Sequence, residues 1–188
     1  MRTIEGAEVG ASGRLFVHGL GYVGLRVATH ALERRGWEVA GTIRLDHSAD
    51  HTKKALLDRG VQAFTFDLDD RGAGIEPRGL TALAGATHLL STVPPVADFD
   101  QDPLLAHHRA ELLDASSLRW AGYLSSTSVY GDHRGEWVDE TSPTLGSGRR
   151  AMSRLEAERQ WLALHEASGG RMCPHIFRLA GIYGPGRS

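Results

Sequence analysis

Leu15-Phe16-Val17 followed by Gly19-Leu20-Gly21-Tyr22-Val23-Gly24 is the stretch that decides the fold of this chain. An apolar run enters a glycine turn, and the turn opens a segment in which Val23, Val27 and Ala31 recur at helical spacing with Ala28 and Leu32 beside them. Strand, tight turn and helix are therefore expected in that order. Each glycine has its own reason: Gly19 for the sharp turn, Gly21 so that backbone can approach a pyrophosphate, and Gly24 for close packing of helix on strand. The backbone of Gly19, Leu20, Gly21, Tyr22, Val23 and Gly24 is thus the expected cradle of a dinucleotide. Its phosphates would lie at the helix N-terminus, where unpaired N–H groups and the positive dipole end favour anions.

Gly36 stops the helix, and Glu38-Val39-Ala40-Gly41-Thr42-Ile43-Arg44 reads as the second strand of a βαβ unit. About twenty residues past the glycines, an acidic side chain would bind a ribose 2′-hydroxyl, whereas an arginine accommodates a 2′-phosphate. Arg44 occupies that place. The preferred cofactor is therefore NADP, with NAD as the alternative if Asp46 turns inward.

Further strands are expected at Val61–Phe66, Thr87–Val93, from Tyr123 toward Gly131, and at His175–Leu179, with helices over Lys53–Asp58, Leu80–Ala84, from Asp102-Pro103, and over Arg149–Ala167. Asp67 and Leu68 follow the third strand, where a carboxylate could reach an adenine amino group or cap local backbone. Thr92, Val93 and Pro94 follow the fourth, and Pro94-Pro95 ends ladder pairing there. Ser126 and Tyr130 stand at the hydroxyl-rich end of the fifth. Alternating strands and helices predict an α/β Rossmann-type, doubly wound parallel sheet of order 3-2-1-4-5-6 with helices on both faces. Every candidate residue then falls at the carboxyl edge.

The 188 residues suit a single dinucleotide-binding domain, with residues 1–13 as a loose lead-in. Lysine and arginine number 21 against 23 acidic residues, which gives no electrostatic case for nucleic acid or an anionic membrane. The single cysteine, Cys173, excludes an intramolecular disulfide framework, is expected buried and inert, and fits the reducing cytoplasm. His47 and His51 share an i, i+4 spacing without third or fourth ligands, so no metal site is expected. Ser126 lacks the G-x-S-x-G elbow of a hydrolytic nucleophile.

The glycine turn, Ser125-Ser126-Thr127-Ser128-Val129-Tyr130-Gly131, Asp139-Glu140-Thr141-Ser142-Pro143, and Arg178-Leu179-Ala180-Gly181-Ile182-Tyr183-Gly184-Pro185-Gly186 occur in this order over nearly the whole chain. In this the chain resembles the extended short-chain dehydrogenase/reductases, and within them the NAD-dependent epimerase/dehydratase group that acts on nucleoside-diphosphate sugars. The resemblance implies that Ser126, three residues before the valine of the Val-Tyr-Gly signature, binds the reacting oxygen. Tyr130 is then the remaining candidate acid. It also implies a tyrosine and a lysine, spaced YxxxK, where this chain has Arg150 and Arg154. Arginine cannot serve as the general acid/base, although Arg154 could still hold a ribose or phosphate. The resemblance also implies a smaller substrate domain after the Gly-Pro-Gly segment; this sequence stops at Ser188, so that part is expected to be absent, through truncation or splitting, or supplied by another chain. A homodimer, or a complementary chain supplying the substrate half, is therefore expected. Two functions compete: an oxidoreductase or isomerase acting on a sugar nucleotide or similar small hydroxyl or carbonyl substrate, and a non-catalytic NADP-binding module, regulator or truncated remnant.

Overall fold

The computed structural model describes residues 12–46, 48–67, 74–95 and 101–187. In chain order it contains β1 (Gly13–His18), α1 (Tyr22–Leu32), β2 (Trp37–Arg44), α2 (Ala49–Leu57), β3 (Val61–Phe66), α3 (Pro77–Ala84), β4 (His88–Ser91), α4 (Pro103–Asp114), β5 (Trp120–Ser126), a 3-10 turn (Thr127–Tyr130), α5 (Arg149–Leu162), α6 (Leu164–Ala167) and β6 (Cys173–Leu179). All strand pairs are parallel, in the order β3-β2-β1-β4-β5-β6. The expected α/β arrangement is present, and its order reverses at β1 and β4, where the crevice for a ligand opens.

A strand buried on both faces sends alternate side chains to opposite sides of the sheet. Phe16, Leu89 and Tyr123 pack with Leu83 of α3, Leu104 and Leu112 of α4 and Trp161 of α5. Leu15, Val17, Val39 and Leu90 point the other way and meet Ala28 of α1 and Leu56 of α2. The Tyr123 and Trp161 rings stack with centroids 5.8 Å apart. Two layers of helix are thereby fixed to one sheet.

Several boundaries differ from expectation for local reasons. α2 begins at Ala49 rather than Lys53, because Asp46 Oδ1 accepts from both the N–H and the hydroxyl of Ser48 and turns the chain into the helix early. β4 ends at Ser91, and the hydroxyl of Thr92 donates to the Gly19 carbonyl instead of continuing the strand. β5 stops at Ser126, whose Oγ accepts from the Ser128 N–H and starts the 3-10 turn. Cys173 is exposed, not buried, because it is the first residue of the edge strand β6. His47, Leu68 and the first 11 residues lie outside the described set.

The Asp102-Pro103 helix start is formed as expected: Asp102 Oδ1 accepts from the N–H groups of Leu104 and Leu105 at 3.0 and 3.2 Å. Burial of this carboxyl pushes it up to about 6, offset only in part by those bonds and by Arg154. A second buried group, His18, is driven down to about 3, mainly by burial and also by neighbouring His108.

The two act oppositely on stability. Asp102 takes up its proton more readily folded than unfolded, so its contribution is present below 3.8 and is lost as pH rises through about 6. His18 is held neutral when folded, so its contribution is present above 6.5 and is lost as pH falls toward about 3. Asp102→Asn keeps an N-cap but removes the first effect. Thermal unfolding of that variant should therefore fall more steeply than wild type between roughly pH 6 and 4, by on the order of 2–3 kcal/mol; overlapping profiles would contradict the assignment.

A close approach gives a second prediction. A Cβ at Gly24 would overlap the Gly19 carbonyl oxygen, which is backbone and cannot swing away. Gly24→Ala should cost about 1–3 kcal/mol in chemical denaturation, and a variant as stable as wild type would refute the packing account.

Candidate functional site

The glycine turn is held from both sides by threonines of the flanking strands. Gly19 adopts φ +95°, a conformation that favours glycine. Its N–H donates to Thr42 Oγ1 of β2 at 2.9 Å, and its carbonyl accepts from the Thr92 hydroxyl beyond β4 at 2.6 Å. The Leu20 N–H donates to the Thr42 carbonyl at 2.7 Å. Thr42 Oγ1 also pairs with His18 Nδ1 at 2.9 Å, so the buried imidazole belongs to the same anchor. Gly21 starts α1 with no side-chain cap, no acidic residue stands in the first turn, and a Cβ on Gly21 would face open space. The arrangement leaves a helix N-terminus open to an anion.

Two cavities meet over this turn. The first, 520 Å³, has Gly19, Leu20 and Gly21 on one side, Arg44, Asp46, Ser48 and Thr52 on another, and Val93 with Pro94 opposite. Arg44 is exposed at the end of β2, while the Asp46 carboxylate is engaged by Ser48. Phe66 lines this cavity; Asp67, one residue on, is not among its lining residues. The second, 330 Å³, is lined by Tyr22, Val23, Thr92, Pro94, Ser125 and Arg154, among others. Gly21 and Pro94 belong to both.

At the far end the two neighbouring serines separate. Ser126 Oγ caps the 3-10 turn, whereas Ser125 lines the 330 Å³ cavity and donates to Glu158 Oε1 at 2.5 Å. Glu158 is buried and receives both Nε and Nη2 of Arg178, the latter at 2.8 Å, and this pairing pushes the arginine further up. Arg178 in turn lies 4.8 Å over the ring of Tyr130. Tyr130 is buried in that contact and lines a separate cavity with Thr127 and Arg178, apart from the other candidates. Arg154 Nη1 donates to the Leu124 carbonyl at 2.7 Å, which fixes its guanidinium at the cavity wall. Arg150 is exposed in the first turn of α5.

The segment after β6 folds back onto the glycine turn. The Tyr22 hydroxyl donates to the Pro185 carbonyl at 3.3 Å, and the Arg187 guanidinium lies 5.5 Å from the Tyr22 ring centroid. Ile182 and Arg187 thus join the wall of the 330 Å³ cavity. Sequence reasoning missed Thr42, Ser125 and Arg187 as site residues. Strand alternation from inward-facing Tyr123 could have found Ser125, but no local pattern announces a tail that returns across the molecule. Among the described residues, no three His, Cys, Asp or Glu side chains converge to hold a metal, and no helix is long and apolar enough to cross a membrane.

Neither a family model nor a curated protein matches the chain. Solved structures do. A functionally unknown conserved protein from Silicibacter pomeroyi is 37% identical with a TM-score of 0.73, over 94% of this chain and 55% of that one. A candidate NAD-dependent epimerase/dehydratase from Methylobacillus flagellatus is 25% identical with a TM-score of 0.66, over 94% and 57%. A short-chain dehydrogenase/reductase superfamily protein from Agrobacterium tumefaciens, solved with bound NAD, is 25% identical with a TM-score of 0.57, over 88% and 48%. The chain spans about half the length of these relatives. Its neighbours are NAD-dependent epimerase/dehydratase and short-chain dehydrogenase/reductase proteins, and it shares their Rossmann-like α/β fold.

Proposed function

We propose that this chain is an epimerase/dehydratase-like domain that binds a nicotinamide dinucleotide along the carboxyl edge of its sheet. The observation that carries the reading is the continuity of the two cavities across Gly21, where a Cβ would face open space beside an uncapped helix N-terminus. The adenosine half is assigned to the 520 Å³ cavity, the pyrophosphate to the N–H groups opening α1, and the nicotinamide half to the 330 Å³ cavity. Leu20, Tyr22, Val23, Thr92, Val93 and Pro94 shape this path, and Asp67 stands beside its adenosine end. Arg44 and Ser48 favour NADP over NAD, because a guanidinium at the end of the second strand pairs well with a 2′-phosphate. When bound, the nicotinamide supplies a hydride acceptor or donor; the protein supplies position, and Arg154 a fixed positive charge.

One observation favours binding without turnover. Among the described residues, the 330 Å³ cavity is lined by no carboxylate, imidazole or lysine, and its one phenol, Tyr22, is bonded to Pro185. Arg150, at the position implied for a catalytic tyrosine, cannot exchange a proton near neutrality. Catalysis of epimerase or oxidoreductase type would need Ser126, Tyr130 or water to move that proton.

Calorimetric titration tests both parts of the reading. Wild type is expected to bind NADP(H) more tightly than NAD(H), and Arg44→Asp to lose about 10- to 100-fold in NADP affinity while retaining NAD; an unchanged preference would remove Arg44 from the site. Gly21→Ala should leave thermal stability within about 0.5 kcal/mol of wild type yet weaken either cofactor at least about tenfold. Undiminished binding in that variant would place the cofactor elsewhere.

A further inference from the structure

We infer that the 330 Å³ cavity takes a small-molecule substrate through an oxyanionic group, a carboxylate or phosphate, held between the guanidiniums of Arg154 and Arg187. The inference rests on the dinucleotide reading: the nicotinamide enters this cavity from Gly21 and Pro94, which it shares with the 520 Å³ cavity, and the anion takes the part of the wall that Arg154 and Arg187 line.

Both arginines line the cavity, and no acidic residue joins them there among those described. They arrive from different directions, Arg154 from α5 and Arg187 from the segment after β6. Each is held in place by a neighbour other than a carboxylate on the wall. Arg154 is fixed by its bond to the Leu124 carbonyl and also interacts with the Tyr123 hydroxyl, and a guanidinium carries five N–H donors, more than these two contacts use. Arg187 is held over the Tyr22 ring, whose hydroxyl ties the same segment through Pro185. The acid electrostatically coupled to Arg154 is Asp102, which is fully buried and does not line the cavity.

The first turn of α1 borders the same cavity and contains no acidic side chain, but its positive dipole end is the one assigned to the pyrophosphate, so the two arginines are the charges left for a second anion. Hydroxyls of Thr92 and Ser125 line the wall, but they are committed to the Gly19 carbonyl and to Glu158. Planar forks suit carboxylate and phosphate oxygens better than they suit neutral hydroxyls. An anion at this wall meets two guanidiniums and no carboxylate among the described lining residues.

The test is calorimetric titration of the full chain with inorganic phosphate and with malonate, at constant ionic strength set by chloride. It is run on cofactor-free protein and on protein saturated with NADP. Binding of at least one of the two anions is expected in both states, and the tighter one identifies the group. Arg187→Ala, which removes only an exposed side chain, should weaken that binding at least about tenfold. Arg154→Met should do the same, with Arg154→Lys intermediate, and Arg109→Ala on the outer surface of α4 should match wild type. Anions that bind no better than chloride, that bind Arg187→Ala as well as wild type, or that displace NADP would overturn the inference. Should NADP itself fail to bind, the dinucleotide reading falls while the cofactor-free titrations still decide the anion site.

Discussion

The clamp on Gly19 is the constraint on which the rest depends. A single residue in a left-handed conformation is bonded through its N–H to β2 and through its carbonyl to Thr92, the residue after β4. That pair of bonds sets where β1 stops, how sharply the chain turns and the direction in which α1 leaves. Gly24 then lies against the Gly19 carbonyl with no room for a methyl group. The geometry leaves Gly21 as the one glycine of the three whose side faces open space. Chemistry at the helix N-terminus follows from packing beneath it.

A second anchor fixes the opposite end of the crevice. Glu158 ties β5 through Ser125 and β6 through Arg178, and these bonds satisfy a carboxylate that burial would otherwise make costly. Removing a partner from such a set destabilises by more than the pair itself contributes, because a buried charge is left behind. The Ser125 and Arg178 ends of this network place α5 over the sheet, and with it Arg154 at the wall of the second cavity. The first anchor spans the switch in strand order, from β2 to the residue after β4, and the second ties β5 to β6, so the crevice has fixed walls.

Much of this was legible in the residues. The glycine spacing, the alternating strands and the Asp102-Pro103 start are local signals, and each marks a feature fixed mainly by contacts within a few residues or with the next strand. Arg44 could be placed because a βαβ unit fixes the distance from turn to strand end. What could not be read depends on contacts between distant parts of the chain. Thr42 matters because β2 lies beside β1, and Arg187 because the chain returns to Tyr22 across 165 positions of sequence numbering, from 22 to 187. The two serines at the end of β5 look alike in sequence; only the pleat and the 3-10 turn separate one facing Glu158 from one capping backbone. Tyr130 is close to Ser126 in sequence, yet its side chain lies under Arg178.

The central claim is that two cavities form one dinucleotide site. Amide hydrogen exchange of the full chain, followed with and without saturating NADPH, tests it most directly. The account predicts simultaneous slowing at Leu20–Tyr22, Arg44–Thr52 and Leu124–Ser125, together with the segment around Arg187. Slowing confined to one cavity, or none at the glycine turn, would contradict it.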